Sequence, residues 1–181
     1  MRPLLAMMVV ALSACASANT PPHIDAPETV RISGGGTGTM QMSTTPNAAP
    51  NVATVAAPID AVWRAMPLAF DSLGILTNTV DPAAHVIGNT GMKIRRQLGK
   101  VPLSKYLDCG STQGPPSADT YEIQFSVITQ LTPAAGGATT VTTTIDGRGR
   151  PVTMAGEYSR CSSKGTLEQA IAAVARSRVA R

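Results

Sequence analysis

The hydrophobic pattern from residue 51 onward predicts a short strand and then a helix. Val52–Val55 form the strand candidate. After it, apolar residues recur at helical spacing: Ile59, Val62, Trp63, Met66, Phe70 and Leu73. Pro58 suits the first turn of this helix, Pro67 is expected to kink it, and Gly74 is placed to end it. We interpret the apolar stripe as a core-facing surface, with a ligand or partner face as the alternative.

Strand patterns occupy the middle of the chain. Three short candidates come first: Ile75–Val80, His85–Asn89 and Met92–Arg95. A longer alternation follows, with Tyr121, Ile123, Phe125, Val127 and Leu131 on one face. Pro133–Gly137 turn the chain, and Thr139–Asp146 return with Val141, Thr143 and Ile145 on one face. These two segments predict a long antiparallel hairpin.

A second helix is predicted at the end of the chain. Thr166 and Gln169 suggest a capping box, and Leu167, Ala170, Ile171 and Val174 form the apolar face. The side chains of Arg176, Arg178 and Arg181 fall where a helix dipole favours cations. The order of elements predicts an α+β fold of two layers, in which an N-terminal and a C-terminal helix pack on one face of an antiparallel sheet.

The start of the chain has a different pattern. An arginine at position 2 precedes an apolar run, Leu4–Leu12, that is too short to span a bilayer. The run leads into Leu12-Ser13-Ala14-Cys15, which resembles the lipobox of bacterial lipoproteins. The resemblance implies that residues 1–14 are a cleaved signal peptide and that Cys15 is acylated and begins the mature protein. The alternatives are an ordinary cysteine near a normal signal peptide, or a buried helix in place of the apolar run.

The lipobox resemblance also implies a location. Two or three acyl chains on Cys15 would make release from a membrane very slow. Ala16 and Ser17 follow the cysteine, whereas an Asp in that place favours inner-membrane retention in Gram-negative lipoproteins. We therefore expect a protein anchored by its N-terminal lipid to the outer membrane and facing the periplasm.

Composition divides the mature chain into a tether and one domain. Residues 15–50 are predicted to be a tether, because they begin with a polar stretch of small residues. Within it, residues 29–43 alternate around a glycine-rich turn and predict a short hairpin. A phosphate-binding loop is the alternative for these glycines, but no GK[ST] follows them. Residues 51–181 are expected to form a single α+β domain.

Charge suggests one candidate binding segment. The chain has 181 residues, a formal net charge of +4 and only 3% aromatic residues, so nucleic-acid binding is not expected. Five basic residues are close in sequence, with no Asp or Glu among them before Asp108: Lys93, Arg95, Arg96, Lys100 and Lys105. We expect a positive connecting loop that binds anionic head groups, lipopolysaccharide phosphates or an acidic protein. A solvated face without a partner is the alternative.

Two cysteines remain once Cys15 is assigned to the lipid. Outside the cytoplasm, Cys109 and Cys161 are expected to form a disulfide. The competing hypothesis is a Cys nucleophile or a metal site. It requires a partner such as His85, and the chain lacks the CxxC, HExxH, GxSxG and SxxK motifs. No metal and no cofactor are therefore expected.

Two short motifs suggest a known family for the domain. Residues 57–63, Ala-Pro-Ile-Asp-Ala-Val-Trp, and residues 165–168, Gly-Thr-Leu-Glu, are similar to the first and last helix starts of BamC-type outer-membrane lipoproteins. The resemblance implies a helix-grip fold over about residues 51–175 and a scaffolding role without catalytic residues. The cysteine pair departs from that family's pattern.

Three classes of function follow from these patterns. The first is a non-enzymatic envelope lipoprotein that binds or assembles envelope proteins or anionic envelope polymers. The second is a carrier of a small apolar ligand, held between the Trp63 helix and the Phe125 strand. The third is an enzyme, which would require His85, Asp108 and a free Cys109 to converge. The first class is our prediction, because no catalytic constellation is present.

Overall fold

A computed structural model describes residues 28–33, 39–44, 51–111, 114–153 and 156–180. The early strands are β1 Glu28–Ser33, β2 Thr39–Thr44, β3 Asn51–Val55, β4 Thr79–Asp81 and β5 Val86–Arg95. The later strands are β6 Gln97–Leu98, β7 Val101–Pro102, β8 Leu107–Asp108, β9 Glu122–Pro133, β10 Thr139–Arg150 and β11 Ser159–Ser163. The helices are α1 Ile59–Ser72, α2 Ser117–Thr120 and α3 Thr166–Val179, with short 3₁₀ turns at Leu103–Lys105 and Ala135–Gly137.

The main sheet is antiparallel and is built around the predicted hairpin. Its strand order is β4-β5-β9-β10-β11-β8. Strands β9 and β10 pair along their full length, from Thr139 opposite Pro133 to Arg150 opposite Glu122. On its other side, β10 pairs first with β3 and then with β11. Strands β1 and β2 form a separate antiparallel hairpin, which confirms the hairpin predicted at residues 29–43.

The two long helices cover one face of this sheet. Alternate residues of β9 from Ile123 to Leu131 are buried, and the apolar ones join the buried stripes of α1 and α3 in one core. The largest fully buried side chains include Met66, Phe70, Ile75, Ile87, Leu103, Leu107, Phe125 and Ile171. The intervening residues of β9 and β10 are half-buried or exposed. The predicted α+β class, with helices layered on an antiparallel sheet, is confirmed.

Threonines complete the core side of the hairpin. The side-chain hydroxyls of Thr129 and Thr143 lie 2.9 Å apart across β9 and β10, and both residues are buried. The hydroxyl of Thr139 donates to the carbonyl of Ala57 at 2.7 Å. Buried hydroxyls of this kind are tolerated because each has a hydrogen-bond partner.

The short strand predictions were wrong in two respects. Residues Ile75–Val80 were predicted as a strand, but only Thr79–Asp81 pair with β5. Ile75 instead enters the core directly after the end of α1. The two candidates at His85–Asn89 and Met92–Arg95 are one strand, because a bulge between Thr90 and Met92 shifts the register without ending the pairing with β9.

The predicted capping box was also wrong. Gly165 is the N-cap of α3, with φ of 74°, and no side chain caps the helix. The hydroxyl of Thr166 donates to the carbonyl of Lys105 instead. Two of the arginines predicted at the C-terminal end of this helix are accounted for as follows. Arg176 Nε donates a hydrogen bond to the carbonyl of Thr54 at 3.3 Å. Arg181 lies outside the described residues.

The end of α1 depends on a close contact between two glycines. Helix α1 continues through Pro67 and ends before Gly74, as predicted. Gly74 has φ of 75° and Gly99 has φ of 58°. A Cβ on Gly74 would lie 2.6 Å from the Cα of Gly99, so only glycine lets the helix end meet the β6–β7 hairpin this closely.

Candidate functional site

The predicted lipid attachment site lies outside the described residues. The predicted signal peptide at residues 1–14, Cys15 and the predicted tether up to residue 27 all lie outside those residues. Within the described part of the chain, no helix has the length and apolar character needed to cross a bilayer.

The two remaining cysteines form the predicted disulfide. The Sγ atoms of Cys109 and Cys161 are 2.04 Å apart, and their Cα atoms are 4.3 Å apart. Both residues are buried, with Cys109 next to the end of β8 and Cys161 in β11. The bond joins the segment before the long hairpin to the strand that leads into α3. A free Cys109 thiol paired with His85 is therefore wrong, and the His85 ring instead meets Trp63 edge-on, with centroids 5.5 Å apart.

The structure divides the five basic residues of the predicted loop into two groups. Lys93 and Arg95 belong to β5, so they are not in a loop as expected. Arg96 follows with φ of 68°, and Lys100 lies in the turn between β6 and β7. Lys105 ends a 3₁₀ turn beside the start of α3. Only the first two residues share a surface with the main sheet.

That surface is the solvent side of the sheet, which we call the outer sheet face. On β9 it carries Glu122, Gln124 and Ser126, which alternate with buried residues. The pairing register places Lys93 opposite Gln124, and Arg95 opposite Glu122. Since directly paired residues point to the same side of a sheet, Lys93 and Arg95 project from this face.

Three further cations lie on the outer sheet face, and the sequence analysis missed them. On β10, Arg148 is opposite Gln124 and Arg150 is opposite Glu122. On β11, Arg160 is opposite Arg148. The sequence interpretation ended the strand at Asp146, because Gly147 and Gly149 interrupt the apolar pattern. Both glycines are buried, and neighbouring side chains fill the space that a Cβ would take.

We call the resulting surface the cationic face. It is defined by Lys93, Arg95, Arg148, Arg150 and Arg160, which lie on three strands. Two carboxylates share it: Glu122 on β9 and Asp146 on β10. Asp146 Oδ2 lies 3.5 Å from Arg148 Nε, and both side chains are about half exposed. The face therefore keeps an excess of positive charge.

Glu122 is the centre of a polar cluster on this face. Its Oε1 accepts a hydrogen bond from the Tyr158 hydroxyl and lies 3.2 Å from Arg150 Nη2. The Arg150 guanidinium also lies over the Tyr158 ring, 4.7 Å from its centroid. The Tyr158 hydrogen bond, together with the charges of Arg150 and Lys93, lowers the pKa of the Glu122 carboxyl. The same hydrogen bond raises the pKa of Tyr158.

Two cavities open on the outer sheet face. One has a volume of about 210 Å³ and is lined by Arg95, Glu122, Arg150, Pro151 and Val152. The other, of about 300 Å³, lies at the bulge of β5 and is lined by Thr90, Gly91, Gln124, Ser126, Asp146 and Arg148. A third cavity, on the opposite layer, is an open groove of about 410 Å³ between α1 and α3.

The space expected for an apolar ligand is filled by side chains. Val62, Met66 and Phe70 of α1 are fully buried in the same core cluster as Phe125 of β9. This packing provides no support for a carrier that opens between α1 and the sheet. Among the residues that the structure describes, no three His, Cys, Asp or Glu side chains gather in an arrangement able to hold a metal ion.

Comparison of the chain with protein family models, with curated proteins and with solved structures gave no match. The resemblance to BamC-type lipoproteins therefore stays a prediction from short motifs. The evidence for function is the surface chemistry described above.

Proposed function

We propose that this protein is a non-enzymatic lipoprotein of the bacterial envelope, anchored through Cys15 on the periplasmic side of the outer membrane. In this proposal the domain is a binding or assembly module, and the cationic face is the surface that binds an anionic envelope component. The observation that carries the proposal is the convergence of five cations from three strands on one sheet face.

The arrangement of these charges is the first supporting argument. Arg148 is directly opposite Arg160 on one neighbouring strand and opposite Gln124 on the other, and Gln124 is in turn opposite Lys93. Five cations share this face with the two carboxylates of Glu122 and Asp146, so the face has an excess of positive charge. An anionic ligand would therefore interact favourably with it.

Location is the second supporting argument. A lipidated Cys15 would hold the domain near the outer membrane, where phosphate and carboxylate groups are abundant. The tether would leave the cationic face free to turn toward the membrane or away from it. Both features agree with a module that captures an envelope component close to its own anchor.

The test compares two neutralised variants of the predicted mature chain, residues 15–181, each carrying Cys15→Ser so that neither a lipid nor the apolar signal segment contributes to binding. Lys93→Gln with Arg148→Gln removes two charges from the cationic face. Lys100→Gln with Lys105→Gln removes two charges elsewhere. Cosedimentation with outer-membrane fragments is measured at low and high salt, and melting temperatures are compared.

We expect the first variant to lose most of its salt-sensitive binding, and the second to bind like the parent chain. Neither variant should change the melting temperature by more than a few degrees, because exposed charges contribute little to stability. Equal binding by both variants would refute a role for the cationic face. In a separate test of the anchor, wild-type protein found soluble and without an acyl mass on Cys15 would refute lipidation.

A further inference from the structure

The cavity at the bulge of β5 differs in chemistry from the rest of the outer sheet face. Its lining provides two hydroxyls from Thr90 and Ser126, an amide from Gln124, and the Asp146–Arg148 pair. At Gly91, φ is 131° and a Cβ would meet no atom within 4 Å, so the backbone there is open to solvent. We call this cavity the bulge cleft.

The bulge cleft presents both donors and acceptors over a short distance. The Asp146 carboxylate only accepts hydrogen bonds and the Arg148 guanidinium only donates them, whereas the hydroxyls of Thr90 and Ser126 and the amide of Gln124 can do both. A ligand that matches this set must itself offer donors as well as acceptors, as the hydroxyl groups of a sugar do. Simple anions, such as a phosphate or a carboxylate, offer acceptors alone and would be repelled by Asp146.

The cleft is continuous with the cationic part of the face. Along β9, Ser126 lines the bulge cleft, Gln124 follows, and Glu122 lines the second cavity with Arg95 and Arg150. Four residues of an antiparallel strand span about 13 Å. Lys93 projects beside Gln124, between the two cavities. One elongated ligand can therefore meet hydroxyl-binding groups at one end and cations at the other.

We infer that the cationic face binds an acidic glycan, with sugar hydroxyls in the bulge cleft and acid groups against Lys93 and Arg95. This inference rests on the proposed function, since it names the ligand class of the same face. A polyanion without hydroxyls offers no donor to Asp146 and leaves the hydroxyls of Thr90 and Ser126 to water.

Three polymers serve as probes for the full chain carrying Cys15→Ser: polygalacturonate, an acidic sugar polymer; polyglutamate, an acidic polymer without sugar; and dextran, a neutral sugar polymer. We expect polygalacturonate to bind more tightly than polyglutamate at equal ionic strength, and dextran to bind weakly. Loss of one hydrogen bond from the cleft should weaken binding about fivefold.

Asp146→Ala provides a test in which the two hypotheses predict different affinity ratios. It removes a negative charge from the face, so a purely electrostatic surface should bind both acidic polymers more tightly by the same factor. If Asp146 accepts hydrogen bonds from sugar hydroxyls, the affinity for polygalacturonate relative to polyglutamate should fall about fivefold, because only the sugar polymer loses a hydrogen bond. Asp60→Ala, in the first turn of α1, removes the same charge away from the face and is the matched control.

Ser126→Ala removes a cleft hydroxyl without any change of charge, and we expect it to weaken polygalacturonate alone. Unchanged melting temperatures establish that each variant is folded. If both acidic polymers bind equally and Asp146→Ala strengthens both by the same factor, the glycan inference is wrong and the proposed anion-binding function stands. If no polymer binds and outer-membrane fragments are not bound either, both proposals fail.

Discussion

Reduction of the Cys109–Cys161 bond should remove a large part of the stability of the domain. The two cysteines are 52 residues apart in sequence. The chain-entropy model for a loop of this length gives about 4 kcal/mol at 25 °C. Small domains have total unfolding free energies of roughly 5–15 kcal/mol. The bond therefore accounts for between a quarter and most of the stability.

The position of the disulfide in the fold also supports a large loss of stability on reduction. Cys161 pairs with the buried Gly147 across β10 and β11, and the Sγ of Cys161 lies 3.4 Å from the place where a Cβ on Gly149 would be. Strand β8, which leads to Cys109, is a two-residue strand at the edge of the sheet. The disulfide therefore links this edge strand covalently to β11, in addition to the β8–β11 pairing and the buried side chain of Leu107.

The assay is urea unfolding of the full chain carrying Cys15→Ser, with and without reductant, followed by far-UV circular dichroism. For a urea m-value of about 2 kcal/mol/M, a loss of about 4 kcal/mol lowers the midpoint by about 2 M. Thiol labelling verifies that both cysteines are reduced, and Cys109→Ala with Cys161→Ala reproduces the loss without reductant. A midpoint shift below about 0.5 M after complete reduction would refute this reasoning.

Three further predictions concern other parts of the chain. Gly74→Ala should lower the unfolding free energy by at least about 1 kcal/mol, because both the positive φ of Gly74 and its contact with Gly99 exclude a Cβ. Urea unfolding measures this loss, and Gly156→Ala at an exposed position is the control. Tyr158→Phe should raise the pKa of the Glu122 carboxyl toward its ordinary value, because it removes the hydrogen bond from the Tyr158 hydroxyl. Carbon-13 NMR titration of Glu122 should then show protonation at a higher pH than in the wild type. In the wild type, the stabilising contribution of the Glu122 carboxylate is present above the ordinary pKa and is lost as pH falls through the lowered pKa. Cys15→Ser should leave an unlipidated protein, either uncleaved or soluble, whereas the wild type partitions with membranes; mass spectrometry that finds no acyl group on Cys15 of the wild type would contradict the lipobox interpretation.

Much of the fold could be predicted because burial imposes a simple period on the sequence. The β9–β10 hairpin followed from strict alternation, and α1 followed from apolar residues at helical spacing. The bulge in β5 could not be predicted, since an extra residue at Gly91 breaks the alternation that identifies a strand. The N-cap of α3 was misplaced because Thr166 bonds to Lys105, a contact that depends on the tertiary fold.

The candidate site was predicted only in part, because its cations are brought together by the register of strand pairing, which the sequence does not show directly. Lys93 and Arg95 were identified as neighbours in sequence, whereas Arg148 and Arg160 join them only through strand pairing. The polar period of Asp146, Arg148 and Arg150 continued past the point where the strand was taken to end. Glycines on the buried side hid that continuation, because they carry no apolar side chain.

Lysine footprinting on the wild-type chain tests the central claim most directly. Acetylation rates of Lys93, Lys100 and Lys105 are measured by mass spectrometry, with and without outer-membrane fragments, on protein held in neutral detergent. All three lysines are exposed in the structure, so each reports on its own surface. Binding through the cationic face predicts slower acetylation of Lys93 and unchanged rates at Lys100 and Lys105. Protection of Lys100 and Lys105 with an unchanged rate at Lys93 would contradict the account.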